Sequence, residues 1–208
     1  MIADSPISSR GSAYRNWVAV LLIAAACLVL QVGGGWAQQW LSFDRATLAS
    51  GQWWRLLSGN FLHLGFYHLM LNLLGLVLLV WLCPQPLPLR EWLRRLFCLS
   101  IGVTAGLYLL APQWTQYVGL SGVLHGLFLL GLLPQALRRD RIAIACLLYL
   151  AGKLGWEWVM GVPVSDEQAI GGRVVLEAHL FGTLAAIVYG LVFGIFVQPD
   201  DKATAGSP

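Results

Sequence analysis

The sequence predicts an all-α membrane protein, a bundle of six transmembrane helices with both termini in the cytoplasm. Three observations predict it. Of 208 residues, 58% are hydrophobic and only 11% are charged, where a soluble domain carries about 25% charged residues. Apolar runs close to the ~20 residues that a bilayer core requires can be read six times. The basic residues between those runs fall unevenly on the two sides. The length allows one domain, and a net charge of +3 is too small to suggest a nucleic-acid partner.

The runs are taken in chain order as residues 17–36, 61–83, 92–110, 120–137, 142–159 and 174–197. The first lacks a small-x-small cleavage site and is followed by five more, so it is read as a span rather than a signal peptide. The second ends at the proline-rich CPQPLPL and the third at Pro112. All six are too long for strands and lack alternation. This divides the chain into a cytoplasmic tail over 1–16, a membrane domain over 17–197 and a second cytoplasmic tail over 198–208.

An even number of spans puts both ends on one side, and the basic residues select which. Arg10, Arg15, Arg90, Arg94, Arg95, Arg138, Arg139, Arg141 and Lys202 share that side, nine in all. Only Arg45, Arg55 and Arg173 lie opposite, with Lys153 inside the fifth run. The positive-inside rule makes the richer side cytoplasmic. Trp17, Trp36, Trp81, Trp92 and Trp114 sit near span ends, as an interfacial belt requires. Cys27, Cys83, Cys98 and Cys146 form no CxxC pair and read as structural thiols.

Polar side chains at membrane depth are costly, so each is a candidate for function. Gly119-Leu120-Ser121-Gly122 opens the fourth run. The first amides of a helix lack internal partners and carry partial positive charge, which suits a developing oxyanion. Gly122 and Gly126 form a GxxxG face for close helix approach. Alone, this segment reads as a serine N-cap on a small-residue face.

In the sixth run, His179 precedes a stripe of Gly182, Ala186, Gly190 and Gly194 spaced four apart. If the fourth and sixth helices pack through their glycines, Ser121 and His179 meet, and a neutral imidazole can take the serine proton. In the second run, His68 and Asn72 share a helix face and both can donate to an oxyanion. His63 points elsewhere, near the outer boundary, bonded to a loop. His125 lies on the Ser121 side of its helix, against the His179 ring or bonded elsewhere, and is poorly placed as the base. Lys153 and Glu157, also four apart, read as a mutually neutralising pair facing other helices or the outer interface. Asp166 and Glu167 read as solvated loop acids.

Together, HxxxxHxxxN in the second run, GLSG at the fourth and AHxxG in the sixth resemble the rhomboid family of intramembrane serine proteases. Trp54-Arg55 resembles the family's first outer loop. The resemblance implies a six-helix rhomboid-like core and a Ser121–His179 dyad with no third acid. It implies that His68, Asn72 and the Ser121 amide, with Gly119 and Leu120 beside it, hold the oxyanion. Gly122, Gly182 and His125 support the site, and no cofactor is needed. The implied substrates are single-span membrane proteins, cut at a site open to water from the outer face.

Many rhomboids place a tyrosine four residues after the serine, and this chain has His125. GLSGVLHG and the compact length resemble the rhombosortase branch. That branch is associated with removal of C-terminal tails of Gly-Gly, a hydrophobic span and basic residues in the inner membrane of Gram-negative bacteria. Helix five and the loop around Pro163 are then the candidate gate. Three alternatives stand beside this reading: a general rhomboid protease, an inactive relative that only recognises membrane helices, and a non-catalytic protein using His63, His68, His125 and His179 to bind a metal or haem.

Overall fold

The computed structural model describes residues 7–196. The predicted second tail, 198–208, lies outside them. The chain runs α1 (Ile7–Val32), α2 (Gly34–Leu41), β1 (Phe43–Asp44), α3 (Arg45–Ala49), α4 (Arg55–Ser58) and a 3₁₀ turn (Gly59–Phe61). It continues with α5 (Phe66–Leu82), α6 (Leu89–Leu110), β2 (Gln116–Tyr117), α7 (Ser121–Leu137), α8 (Arg141–Met160), α9 (Glu167–Ile170) and α10 (Leu176–Val192). Each of the six apolar runs contains most of one long helix, α1, α5, α6, α7, α8 or α10, but 34–36 of the first run belong to α2 and 61–65 of the second precede α5. Helix α1 begins at Ile7, well inside the stretch read as a tail.

Among the described residues, three helices are long and apolar enough to cross a membrane: Tyr14–Val32, Leu89–Leu110 and Arg141–Met160. A fourth crossing is counted if Arg55–Phe61 and Phe66–Leu82, bent by 92°, form one broken span. Helices α7 and α10 are apolar but have 17 residues each, about 26 Å at the helical rise.

Helix α7 occupies the middle of the bundle, packed against α5, α6, α8 and α10. It carries no charged residue, and Val123, Leu124, Leu127, Leu130 and Leu132 are buried on it. Large apolar side chains such as Leu21, Val29, Leu109, Leu148 and Val188 face outward, the pattern of a bundle whose surroundings are lipid.

Glycine lets α7 meet α10 backbone to backbone. A Cβ on Gly182 would lie 1.9 Å from the Gly122 carbonyl oxygen, and one on Gly126 would lie 2.6 Å from the Gly182 oxygen. The predicted glycine stripe stops short of its full length. Gly190 is covered by the Phe196 ring, and Gly194 lies beyond the end of α10 with φ +61°.

Two arginines tie the loops down. Arg55 is buried and donates to the Ser42 and Gln39 carbonyls at 2.8 and 2.7 Å and to Gln52 Oε1 at 2.8 Å. Arg45 donates to the carbonyls of Tyr108, Leu107 and Ala111 at 2.6, 2.8 and 3.1 Å, which clamps the loop onto the C-terminal end of α6. The tryptophan belt is partial. Trp36 and Trp81 are exposed, but Trp92 is buried with its Nε1 donating to Asn16 Oδ1 at 3.2 Å, and Trp114 stacks beneath Arg173.

Candidate active site

The segment leading into α7 is held from three directions. β1 pairs antiparallel with β2, Phe43 opposite Tyr117 and Asp44 opposite Gln116. The Gly119 amide donates to the Gly59 carbonyl at 3.2 Å, and the Tyr117 hydroxyl donates to the Gly119 carbonyl. Gly119 has φ +138°, a conformation that L side chains rarely adopt, and a Cβ there would press on the His68 ring at 2.9 Å. Glycine is therefore required by both backbone and space.

Ser121 is the first residue of α7, and Leu120 occupies the N-cap position without a side-chain cap bond. The hydroxyl is thus not spent on capping. Its Oγ lies 3.0 Å from His179 Nε2, across the interface where Gly122 and Gly182 touch. His179 is buried in the first turn of α10.

His125, one turn below Ser121, stacks on His179 with ring centroids 4.2 Å apart and planes 14° apart. Its Nδ1 lies 2.7 Å from the Ser121 carbonyl oxygen. That oxygen only accepts, so Nδ1 carries the proton and Nε2 is an acceptor. Lys153 Nζ sits 3.1 Å from that Nε2.

The expectation of a dyad without an acid does not describe this geometry. Glu157 Oε2 lies 2.9 Å from His179 Nδ1, and Glu157 Oε1 is paired with Lys153 Nζ. The expected pairing of Lys153 with Glu157 is present, and of the two faces expected for it the pair meets other helices, at His125 of α7 and His179 of α10. It does so because α8 ends at the same end of the bundle where α7 and α10 begin. Spacing alone shows that the two side chains share a helix face, not which helix that face meets.

His68 and Asn72 line the same cavity as Ser121, His125, Lys153 and His179, a space of about 700 Å³. His68 Nδ1 accepts from the Leu64 amide at 3.4 Å, which leaves Nε2 as the donor, facing Gly119. Asn72 Nδ2 donates to the His68 carbonyl at 2.9 Å. His63 is wholly buried in the segment before α5, set edge-on to His68 at 5.0 Å, with its backbone carbonyl accepting from Gln38 Nε2 at 2.8 Å. Asp166 and Glu167 also have structural work. Asp166 accepts from the Gln168 amide at 2.9 Å and Glu167 from the Val174 amide at 2.7 Å.

The four histidines do not form one ligand set. His125, Glu157 and His179 do place ligand atoms within 4.8 Å of one another. The Lys153 ammonium is bonded among these atoms, 3.1 Å from His125 Nε2 and 3.4 Å from His179 Nδ1 as well as to Glu157. The cation that this cluster holds is therefore already part of the chain.

A family model of the rhomboid domain matches residues 50–196. The chain belongs to the rhomboid family. The matched region includes α4 to α10 and every site residue described above. The chain is also similar to "Putative rhomboid protease YdcA" of Bacillus subtilis (strain 168), 28% identical over 135 residues. That alignment covers 65% of this chain and 64% of the relative, so it spans under two thirds of that protein's length. As a rhomboid-family membrane protein, the chain carries the predicted all-α bundle. Sequence reasoning missed Glu157 and Lys153 as parts of the site. Their signal was present as two charges four residues apart in a run that needs none.

Proposed function

We propose that this rhomboid-family chain is an intramembrane serine endopeptidase, with Ser121 as nucleophile and His179 as general base. The observation that carries the reading is the 3.0 Å contact between Ser121 Oγ and His179 Nε2, made between two helices at the edge of a cavity.

Ser121 Oγ attacks the scissile carbonyl carbon while His179 Nε2 takes its proton. The carbonyl oxygen becomes an oxyanion beside the first amides of α7 and the His68 Nε2–H, with Gly119, Leu120 and Asn72 around it. Collapse breaks the C–N bond, and His179 returns the proton to the leaving amine. Water then attacks the acyl-enzyme, again through His179, and releases the new carboxyl end and free Ser121.

The substrate is a membrane-anchored protein with one spanning segment. Between α5 and α8 the cavity wall is apolar, with Leu71, Leu74 and Leu78 on one side and Cys146, Tyr149 and Leu150 on the other. Helix α8 packs on α7 and less extensively on α10, so it is the helix best placed to yield. Ile170 of α9 and Val164 of the α8–α10 loop roof the cavity near Pro163. An unwound segment, favoured by glycine with its ~1 kcal/mol helix penalty, fits this entry.

His125 within GLSGVLHG supports the rhombosortase branch: substrates end in Gly-Gly, a hydrophobic span and basic residues, and lose that tail. The proposed setting is a bacterial inner membrane, with both termini in the cytoplasm and the site open to the periplasm. A reporter bearing such a tail, co-expressed with wild type, Ser121→Ala or His179→Ala, tests this. Tail loss with wild type alone is expected. Ser121-dependent cleavage only of a general helix-breaking substrate keeps the protease and rejects the branch. Cleavage of neither by folded protein rejects both.

A further inference from the structure

Two groups compete for His179 Nδ1. Glu157 Oε2, which accepts, is 2.9 Å away, and Lys153 Nζ, which donates, is 3.4 Å away. The outcome decides whether the imidazole can act. With Nδ1–H donated to Glu157, Nε2 presents its lone pair to Ser121. With Nδ1 accepting from Lys153, Nε2 carries the proton and Ser121 has no base.

The surroundings favour the first arrangement. The ammonium already has two other acceptors, Glu157 Oε1 and His125 Nε2. His125 is locked as an acceptor because its Nδ1–H is held by the Ser121 carbonyl. The Glu157 side chain is 3% exposed, so its charge requires both partners to remain buried. Lys153 and Glu157 are one turn apart on α8, so the helix presents cation and anion in a set order.

We propose that Glu157, held by Lys153, is a positioning residue that sets the Nδ1–H tautomer of His179. Lys153, Glu157, His179 and Ser121 then form one hydrogen-bonded relay, with His125 closing the second side of the ammonium. The carboxylate remains ionised throughout. It orients the ring and stabilises the imidazolium that forms when Ser121 gives up its proton. This inference rests on the protease reading above.

The test uses full-length protein in lipid and compares wild type with Glu157→Gln and Glu157→Asp. Three readouts apply: the ¹⁵N chemical shifts of His179, kcat and KM on the cleaved reporter, and thermal unfolding. The wild-type ring is expected as the Nδ1–H tautomer, and E157Q as a mixture or the Nε2–H form. E157Q is expected to lose about 10²–10⁴-fold in kcat with KM changed by less than about threefold. E157D is expected to keep the wild-type tautomer and recover part of kcat.

Three results overturn the inference: a wild-type Nε2–H tautomer, a folded E157Q with kcat within about threefold of wild type, or stoichiometric zinc in wild type that E157Q loses. The wild-type tautomer needs no variant to fold. If no substrate is cleaved by wild type and Ser121 is unreactive, the protease reading fails, while the tautomer still reports on Glu157.

Discussion

Glu91 and Glu157 are both buried acids near helix ends, and they lie at opposite ends of the bundle. Glu91, in the first turn of α6, bonds Arg94, accepts from Arg95 Nε at 2.9 Å and from the Tyr189 hydroxyl at 2.7 Å. Both cations are guanidiniums, which do not release protons. The cluster is saturated and pins α6 to α10. Glu157 instead meets an ammonium and an imidazole, both able to exchange protons, and the imidazole leads to a hydroxyl at a cavity. A buried carboxylate acts as structure when its partners have fixed protonation, and it can serve chemistry when they do not.

The two ends of the bundle are expected to differ most at the serine. Ser121→Ala removes the proposed nucleophile at the cavity end of the Glu157 network. It is expected to abolish reporter cleavage, while thermal unfolding stays within about 0.5 kcal/mol of wild type. A Ser121→Ala protein that still cleaves would erase the distinction between the two ends.

Gly182→Ala separates the parts of the network. Its Cβ would lie 1.9 Å from the Gly122 oxygen, so α7 and α10 must move apart. The Ser121–His179 contact is then stretched, whereas the Lys153–Glu157 pair within α8 is untouched. Loss of nearly all cleavage and about 3 kcal/mol of stability is expected. Unchanged activity, measured alongside unfolding in the same detergent, would show that the helix contact does not position the dyad.

Glu91→Gln alters the opposite end of the bundle. It is expected to cost about 2 kcal/mol by weakening the charge-assisted hydrogen bonds to the buried Arg95 guanidinium, with kcat per folded molecule unchanged. If it instead lowers kcat without lowering the unfolding temperature, the far cluster is coupled to the site.

The smallest effect is expected at Asp44, outside both clusters. The Thr47 amide, bonded to the Asp44 carboxylate at 2.9 Å, holds its pKa below the usual carboxylate value. A depressed folded value means the contribution is present above the unfolded pKa and is lost as pH falls through the folded one. Asp44→Ala is expected to cost less than about 1 kcal/mol near neutral pH, and the gap to wild type should close in acid. A gap that widens in acid would assign the stabilisation elsewhere.

Much of this was legible in the sequence, for particular reasons. Ser121, His179, His68 and Asn72 stand out as a set, because polar groups in apolar runs are costly while each alone reads equally as a helix cap or an interhelical hydrogen bond. The glycines at 122, 126 and 182 announce a close crossing because small-residue spacing and helical period coincide. The environment of Glu157 was not legible. An i, i+4 ion pair satisfies itself on paper, and only the common depth of the α8 end with the α7 and α10 starts brings it to His179. The roles of Arg45 and Arg55 were hidden too, since their acceptors are backbone carbonyls from distant segments. Trp92 resembled a belt residue because composition records position along the helix, not which face Asn16 occupies.

The proposed function requires Ser121 to be an activated nucleophile. The most direct measurement is labelling of the purified full-length protein in lipid with a fluorophosphonate, read by mass spectrometry of the intact chain and its peptides. One adduct per chain is expected, on Ser121, absent in His179→Ala. A folded protein that stays unlabelled, or one labelled equally well without His179, would contradict it.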